Sequence, residues 1–308
     1  MRIAILGATS HIAKNIIYYF KDDKTLTLSL FARNEEAVRC FLDSVGVSRM
    51  AVQSLEAFPD CDCDVVINCV GIADPQKQRD AGVEIFRLTE RFDNIILDYL
   101  AGNKNVIYIN FSSGAVYGTG FDAGVTENTL TQIAINNILP ADYYRIAKLN
   151  AESKHRAMPS FSIIDLRVFS FFSKFIDLSS RFLLTEMVRS IKSDIEFETT
   201  RNDIVRDFIA PSDLYSLVRL CIAKPGVNEV FDVFSRAPVR KQELIDAFIG
   251  RYGMKVHYIE SNSAVSPTGR KDKYLSTNYH AKERLGYLPH FSSLETVIEE
   301  ADYLVDKD

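Results

Sequence analysis

The sequence predicts an α/β fold built on a doubly wound parallel sheet with a smaller C-terminal α/β lobe, and three observations predict it. In the first half, short β-rich apolar runs alternate with longer segments of helical period, as in a parallel sheet covered by helices on both faces. The apolar runs are nearly continuous, without polar alternation, as burial on both faces requires. The first run ends in a glycine and enters a helix directly, the kind of turn at which such sheets receive phosphates.

Taken in order, strands are expected at residues 2–6, 26–31, 65–70, 106–111 and 162–168, with helices at 12–20, 35–45, 83–101 and 143–156 between them. After about residue 168 the rhythm loosens into a Phe-rich stretch, a helix at 181–192, a charged turn and a short strand at 205–209. Pro211 opens a further helix in its first turn, where the missing N–H costs nothing. Strands at 229–234 and 255–259 flank a helix at 241–248, residues 261–278 read as a polar surface loop, and an amphipathic helix at 293–304 ends the pattern.

At 308 residues, 47% hydrophobic and 25% charged, the chain can bury a sizeable core. A formal net charge of −5 supplies no field for a polyanion, so no nucleic-acid partner is expected. The apolar runs are too short to span a bilayer, so no membrane is expected either. Met1 runs straight into a strand with no basic leader, which makes a cytoplasmic protein the expectation. Five cysteines, Cys40, Cys61, Cys63, Cys69 and Cys221, lack the paired spacing of a secreted framework. Cys61, Cys63 and Cys69 cluster, which raises a metal site as one reading. No Cys or His pair follows at ligand spacing, so reduced thiols around a buried strand are the expectation, with no metal.

The segment Ile3-Ala4-Ile5-Leu6-Gly7-Ala8-Thr9-Ser10-His11-Ile12-Ala13 is a strand, a turn and a helix start, where a dinucleotide pyrophosphate would meet the helix amides. Gly7 allows the tight turn. Ser10 and Ala13 replace the second and third glycines of the usual fingerprint; Ser10 still offers a hydroxyl and an N–H, and Ala13 is small enough for close helix packing. A ligand-free structural turn is the alternative. His11 either touches the pyrophosphate or, as the stronger expectation, faces solvent from the first helical turn. This loop makes the expected fold Rossmann-type, with a dinucleotide-binding domain at residues 1–167 and 204–234 and a substrate-binding lobe at 168–203 and 235–308.

The second strand ends Leu30-Phe31-Ala32-Arg33-Asn34, with no Asp or Glu to accept the adenosine ribose hydroxyls of NAD. A guanidinium there can pair with a 2′-phosphate, so NADP(H) is the expected cofactor, unless Arg33 merely faces solvent.

Tyr144-Arg145-Ile146-Ala147-Lys148 places a phenol and an ammonium at i and i+4, on one helix face. An adjacent ammonium is expected to lower the phenol pKa from about 10, toward the range where proton transfer is useful. Ser113 lies just beyond a strand, at the carboxyl edge of the sheet, where it can hydrogen-bond a substrate carbonyl.

Gly7-x-x-Ser10-x-x-Ala13, Asn68 ending an apolar strand, Ser113 four residues before Tyr117, and Tyr144-x-x-x-Lys148, in that order, resemble the extended short-chain dehydrogenase/reductases, specifically the NAD-dependent epimerase/dehydratase family. Leu166-Arg167-Val168-Phe169-Ser170, Arg206-Asp207-Phe208-Ile209 and Leu285-Gly286-Tyr287-Leu288-Pro289 are later echoes, so the resemblance extends over nearly the whole chain. It implies a catalytic Ser113, Tyr144 and Lys148, with Tyr144 as general acid or base and Lys148 also on the nicotinamide ribose. The expected cofactor-binding set is Gly7, Thr9, Ser10, His11, Ile12, Arg33, Asn34, Asn68, Tyr144 and Lys148. The resemblance further implies a nucleotide-sugar substrate, with Arg206 on its diphosphate. Arg181 and Ser170 are further candidates on the substrate side. For Arg206 a salt bridge to Asp203 or Asp207 is the alternative, and for Arg181 plain solvent exposure. The family has Asn, Gly and Pro where this chain has Ser170, Ser173 and Lys174. The cluster of Phe169, Phe171, Phe172 and Phe175 could stack a base, but core packing is the stronger expectation. A homodimer through exposed helices is common in the family, though no residue pattern here specifies one.

Three chemistries share the scaffold. Family dehydratases carry an Asp-Glu pair soon after the catalytic Ser or Thr, where this chain has Gly114-Ala115, so dehydration is demoted. Arg33 without an acid favours NADPH-dependent reduction of a keto group, of the 4-keto-6-deoxy type, over epimerisation with tightly held NAD(P). A non-catalytic NADP-binding sensor is the remaining reading.

Overall fold

The computed structural model describes residues 1–47, 50–118, 121–260 and 272–306. A seven-stranded, wholly parallel sheet forms its centre. In chain order the protein begins with β1 (Arg2–Leu6), α1 (His11–Phe20), β2 (Thr27–Phe31), α2 (Glu35–Ser44), β3 (Ala51–Gln53), β4 (Val65–Asn68), α3 (Pro75–Ala81), α4 (Glu84–Gly102), β5 (Ile107–Ser113), α5 (Tyr143–Arg156) and β6 (Ser162–Val168). The remaining elements are β7 (Ser170–Phe171), α6 (Leu183–Lys192), β8 (Phe197–Thr200), β9 (Val205–Arg206), β10 (Phe208–Ile209), α7 (Pro211–Ile222), β11 (Glu229–Val233), β12 (Val239–Arg240), α8 (Lys241–Tyr252), β13 (Val256–Ile259), β14 (Lys273–Tyr274), α9 (His280–Leu285) and α10 (Ser293–Val305). The sheet order β11-β6-β5-β4-β1-β2-β3 reverses direction between β4 and β1, the position at which open α/β sheets leave a crevice for ligands. This is the Rossmann-type α/β fold.

The strand period of two decides the layers. Ile3 and Ile5 face a core shared with Ile16 of α1 and Leu214 of α7, while Ala4 and Leu6 face one shared with Phe92 and Ile96 of α4. Every residue of β4 and β5 is buried, which is why these strands read as unbroken apolar runs. A third core gathers Phe172, Met187 and Val188 of α6, Leu244 and Phe248 of α8, and Val297 of α10. Helix starts follow local chemistry: Ser10 and Asn34 accept the third amides of α1 and α2, Pro211 is the first residue of α7, and Ser292 and Glu295 cap α10 reciprocally.

The expected strand at 205–209 is split. β9 pairs with β12 and β14, β10 pairs with β7, and Asp207 turns inward between them. The expected polar loop at 261–278 lies outside the described residues up to 271. From 272 on it is not a simple loop, because β14 runs parallel to β9, and Tyr274 and Ser276 are buried. The edge strand β3 and the short helices α3 and α9 were not expected, and α6 begins at Leu183, leaving Arg181 outside it. Among the described residues no helix is long and apolar enough to cross a membrane, and no group of three or more His, Cys, Asp or Glu could hold a metal ion.

Candidate active site

The site residues lie along the carboxyl edge of the sheet. Leu6 at the end of β1 is level with Phe31 of β2 and Asn68 of β4, Asn68 with Asn110 of β5, and Ser113 of β5 with Val168 of β6. The turn after β1 demands glycine. Gly7 has φ +75°, and a Cβ on it would sit 2.8 Å from the carbonyl of Cys69 and the amide of Val70. The Gly7 and Ala8 amides both donate to the Phe31 carbonyl, at 2.9 and 3.1 Å, which holds the residues after β2 beside this turn. Ser10 Oγ accepts from the Ala13 amide at 3.2 Å, and the helix opens from Thr9, Ser10, His11 and Ile12. Arg33 is exposed just beyond β2, and Asn34 uses its side-chain oxygen to cap α2 through the Ala37 amide at 3.0 Å. No carboxylate lies between Leu30 and Asn34.

His11 does not face solvent as expected. Its Nε2 lies 2.7 Å from Ser173 Oγ and its ring is tilted on Phe171 at 4.8 Å. Ser173 Oγ already accepts from Asn15 Nδ2 at 2.8 Å and the Phe175 amide at 3.2 Å, so its own proton goes to His11 Nε2. Burial holds the imidazole neutral, its pKa pushed down to about 3. The serine that stands where the family has glycine thus ties the first turn of α1 to the segment after β7.

Asn68 is fixed at the end of β4. Its amide donates to the Tyr108 hydroxyl at 2.9 Å and its oxygen accepts from the Val70 amide at 3.0 Å. Beneath it lies a buried ionic chain that the sequence did not signal. Tyr108 donates to Asp93 at 3.0 Å, His155 lies 2.7 Å from Asp93 and 2.9 Å from Asp165, and Asn110 donates to Asp165 at 2.7 Å. The two carboxylates raise the His155 pKa to about 9 against the opposing effect of burial.

Lys148 and Ser113 are buried, and Tyr144 is half-buried. The expected lowering of the Tyr144 phenol by Lys148 is not what the geometry gives. The ammonium is taken by the Phe111 carbonyl at 2.8 Å, and burial raises the phenol pKa, with a hydrogen bond from Ser113 as the opposing influence. Burial likewise lowers the pKa of Lys148, against Asp93 and Asp165 beneath it.

The sequence reading missed Tyr274. Its hydroxyl lies 3.2 Å from Ser113 Oγ. It reaches there because β14 is stitched to the chain beyond Ser113: Lys273 N donates to the Phe121 carbonyl at 2.7 Å and Val125 N to the Leu275 carbonyl at 3.0 Å. The β14–β9 register sets Tyr274 opposite Arg206, whose guanidinium sits 6.0 Å from the tyrosine ring. Neither neighbouring aspartate takes Arg206 in a salt bridge: Asp203 pairs with Arg240, and Asp207 accepts from the Ser235 amide at 3.0 Å. Burial lowers the Arg206 pKa to about 10. Ser170 lies on β7 beside β10, and Arg181 is exposed just ahead of Phe182, the N-cap of α6. The phenylalanines are core: Phe172 lies in the third core, Phe175 packs edge-on against Phe41, and Phe169 covers Gly114. A Cβ on Gly114 would fall 2.5 Å from the Phe169 ring, so the position after Ser113 has no room for a carboxylate.

These residues can hold a dinucleotide at the β1 turn and set a hydroxyl, a phenol and an ammonium at one sheet edge. No curated protein matches the sequence. Solved structures of the same fold do. A UDP-glucose 4-epimerase from Stenotrophomonas maltophila, bound to NAD, is 14% identical with a TM-score of 0.82, over 99% of this chain and 98% of that one. A UDP-glucuronic acid 4-epimerase from Bacillus cereus, with UDP-glucuronic acid and NAD, is 17% identical with a TM-score of 0.80 over 99% of both chains. A dTDP-glucose 4,6-dehydratase from Bacillus anthracis, with NAD, is 15% identical with a TM-score of 0.78 over 98% and 96%. Residues 3–234 match the model of the NAD dependent epimerase/dehydratase family, and the chain belongs to that family.

Proposed function

We propose that the protein reduces a keto group on a nucleotide-linked sugar, of the 4-keto-6-deoxy type, at the expense of NADPH. The observation that carries this reading is Arg33, exposed beside the Gly7 turn where an NAD-preferring site would present a carboxylate. Gly7, Thr9, Ser10, His11 and Ile12 would hold the pyrophosphate, Arg33 and Asn34 the adenosine end, and Asn68, Tyr144 and Lys148 the nicotinamide end. When bound, the dinucleotide supplies hydride. Ser113 donates a hydrogen bond to the substrate carbonyl, and Tyr144, kept protonated by burial, gives its proton to the emerging alkoxide. Arg206, with Ser170 and Arg181 as further candidates, would meet the nucleotide diphosphate. On the same reading the protein would act in the cytoplasm and, as a further reading, as a homodimer.

Epimerisation is the second reading, favoured by the NAD-bound epimerases that share the fold. Incubation with NADPH and a panel of nucleotide-linked 4-keto-6-deoxy sugars, following cofactor absorbance and sugar product together, separates the two. Stoichiometric loss of NADPH with a reduced sugar supports the reductase; a change of configuration without net NADPH loss supports the epimerase. Binding of NADPH with no turnover on any sugar would point to a sensor.

A further inference from the structure

Three consecutive residues after β7, Ser173, Lys174 and Phe175, tie the helix that opens from the Gly7 turn to the C-terminal part of the chain. Ser173 is buried and its hydroxyl is saturated. It accepts from Asn15 Nδ2 at 2.8 Å and from the Phe175 amide at 3.2 Å, and it donates to His11 Nε2 at 2.7 Å. Asn15, itself buried in the middle of α1, also donates to the His11 carbonyl at 2.8 Å. The first turn of α1 is thus held twice, by the His11 ring and, through Asn15, by its own backbone. On the far side of the segment, Phe172 lies in the third core and Ile176 packs against it. The Lys174 amide donates to buried Glu300 of α10 at 2.7 Å. Its ammonium sits between the rings of Tyr18 of α1, at 4.1 Å, and Tyr303 of α10, at 4.5 Å.

We propose, on the reading of the Gly7 turn as the pyrophosphate site, that Ser173 is a positioning residue for dinucleotide binding: by locking His11 and Asn15 it fixes the first turn of α1 to the third core before the cofactor arrives. The opening amides of a helix have no partner within it, and they bind an anion best when they are already aimed. A turn that must be ordered on binding gives up part of the binding free energy to that ordering, so a turn ordered beforehand binds more tightly. Ser10 orders this turn from the front, through the Ala13 amide at 3.2 Å. Ser173 orders it from behind, 162 positions along the chain from His11. Without the Ser173 hydroxyl, the His11 ring nitrogen loses its donor and the Asn15 amide one of its two acceptors. Both groups are buried deep enough that an unmade hydrogen bond is costly, and the turn relieves them only by moving. Lys174 acts differently. Its cation joins α1 to α10 at Tyr18, about two turns beyond His11, so it contributes to stability and leaves the aim of the opening amides alone.

NADPH and NADH are titrated by fluorescence into the wild type, Ser173→Ala, His11→Phe and Lys174→Met, at a temperature where thermal melts show every variant folded. Ser173→Ala should raise the Kd by about tenfold, and by the same factor for both cofactors, since they share the pyrophosphate. KM for the cofactor should rise with it, while kcat at saturating cofactor stays nearly unchanged. His11→Phe keeps a ring against Phe171 but removes the nitrogen, and should raise the Kd likewise. In that background Ser173→Ala should add much less, and His11→Phe alone carries the test should Ser173→Ala not fold. Lys174→Met should lower Tm and leave the Kd nearly unchanged. A wild type that binds a dinucleotide no more tightly than Ser173→Ala or His11→Phe overturns the proposal alone, as does an equal rise in Kd in Lys174→Met, which would make the effect a general loosening. A wild type that binds neither cofactor removes the pyrophosphate site itself, and the role of Ser173 with it.

Discussion

Ser113 Oγ and the Tyr274 hydroxyl stand 3.2 Å apart, so the serine at the end of β5 has a second phenol beside it, carried by β14. Ser113 Oγ also accepts from the Ala115 amide at 3.2 Å. Either hydroxyl can donate in this pair, and where Ser113 does, a substrate carbonyl that takes its proton displaces Tyr274 from it. Tyr274→Phe removes a competitor worth about 1 kcal/mol, and its expected effect is a severalfold change in KM for the keto sugar with kcat nearly unchanged. Ser113→Ala removes the donor itself and should lower kcat by about 10²-fold or more. Steady-state kinetics on the two variants checks the contrast; equal losses in kcat would assign Tyr274 to the chemistry.

Burial raises the Tyr144 phenol, and this fixes the sign of its pH dependence. A proton donor raised above the ordinary value of about 10 stays protonated across the neutral range. Reduction should therefore show no loss from this group below about pH 10, while the reverse oxidation, which needs the phenolate, should rise with pH. Rates in both directions between pH 6 and 10 test it. Tyr144→Phe should abolish turnover and leave dinucleotide affinity, measured by calorimetry, within a few-fold.

Much of this site was legible because it is local. Gly7 at a strand-to-helix turn, Tyr144 and Lys148 one turn apart, and Ser113 at a strand end are each fixed by near neighbours in sequence, and the strand at 162–168 and helix at 143–156 were placed to the residue. Tyr274 was not legible, since only the pairing of β14 with β9 brings it 161 positions back along the chain to Ser113. The role of Ser173 against His11, 162 positions apart, was hidden for the same reason. The Asp93, His155 and Asp165 chain gave no periodic signal, because a buried charge is recognised by its partners and these lie on α4, α5 and β6.

Gly7→Ala should cost stability as well as cofactor binding. The position needs φ +75°, and the added Cβ would meet the Cys69 carbonyl and the Val70 amide, all backbone, at 2.8 Å. Left-handed backbone strain and the clash together cost about 2 kcal/mol or more. At roughly 2–4 °C per kcal/mol for a chain of this size, a fall of at least ~4 °C in Tm is expected, with dinucleotide binding lost. Thermal melts with and without NADPH measure both effects, and a variant that NADPH still stabilises would count against the turn as the pyrophosphate site.

His155 links stability to pH. Its pKa is raised from 6.5 to about 9 by Asp165 and Asp93, so the folded state holds a proton that the unfolded chain releases earlier. The contribution is fully present below pH 6.5 and is lost as pH rises through about 9. Its size is on the order of 3 kcal/mol. His155→Gln should lower stability at pH 6, because it removes the cation that buried Asp93 and Asp165 share and leaves them only Lys154 at 2.6 Å and Arg156 at 3.1 Å, and should flatten the slope between pH 7 and 9. Urea unfolding across that range is the measurement.

On the proposed reading, Arg33 selects NADPH over NADH. It stands beyond β2, next to the turn that the Gly7 and Ala8 amides tie to Phe31, with alanine before it and no acid in the segment. A guanidinium facing a 2′-phosphate contributes a charge-assisted pair of about 1.5–3 kcal/mol, which is about 10- to 100-fold in affinity. NADH has no phosphate to meet it. Arg33→Ala should therefore raise the Kd for NADPH by at least about tenfold and leave the Kd for NADH nearly unchanged, and the difference should shrink as ionic strength rises. Fluorescence titration of both cofactors into the wild type and the variant gives all four constants. An unchanged NADPH to NADH ratio would remove the argument for net reduction and leave epimerisation with held NAD as the better reading of the same site.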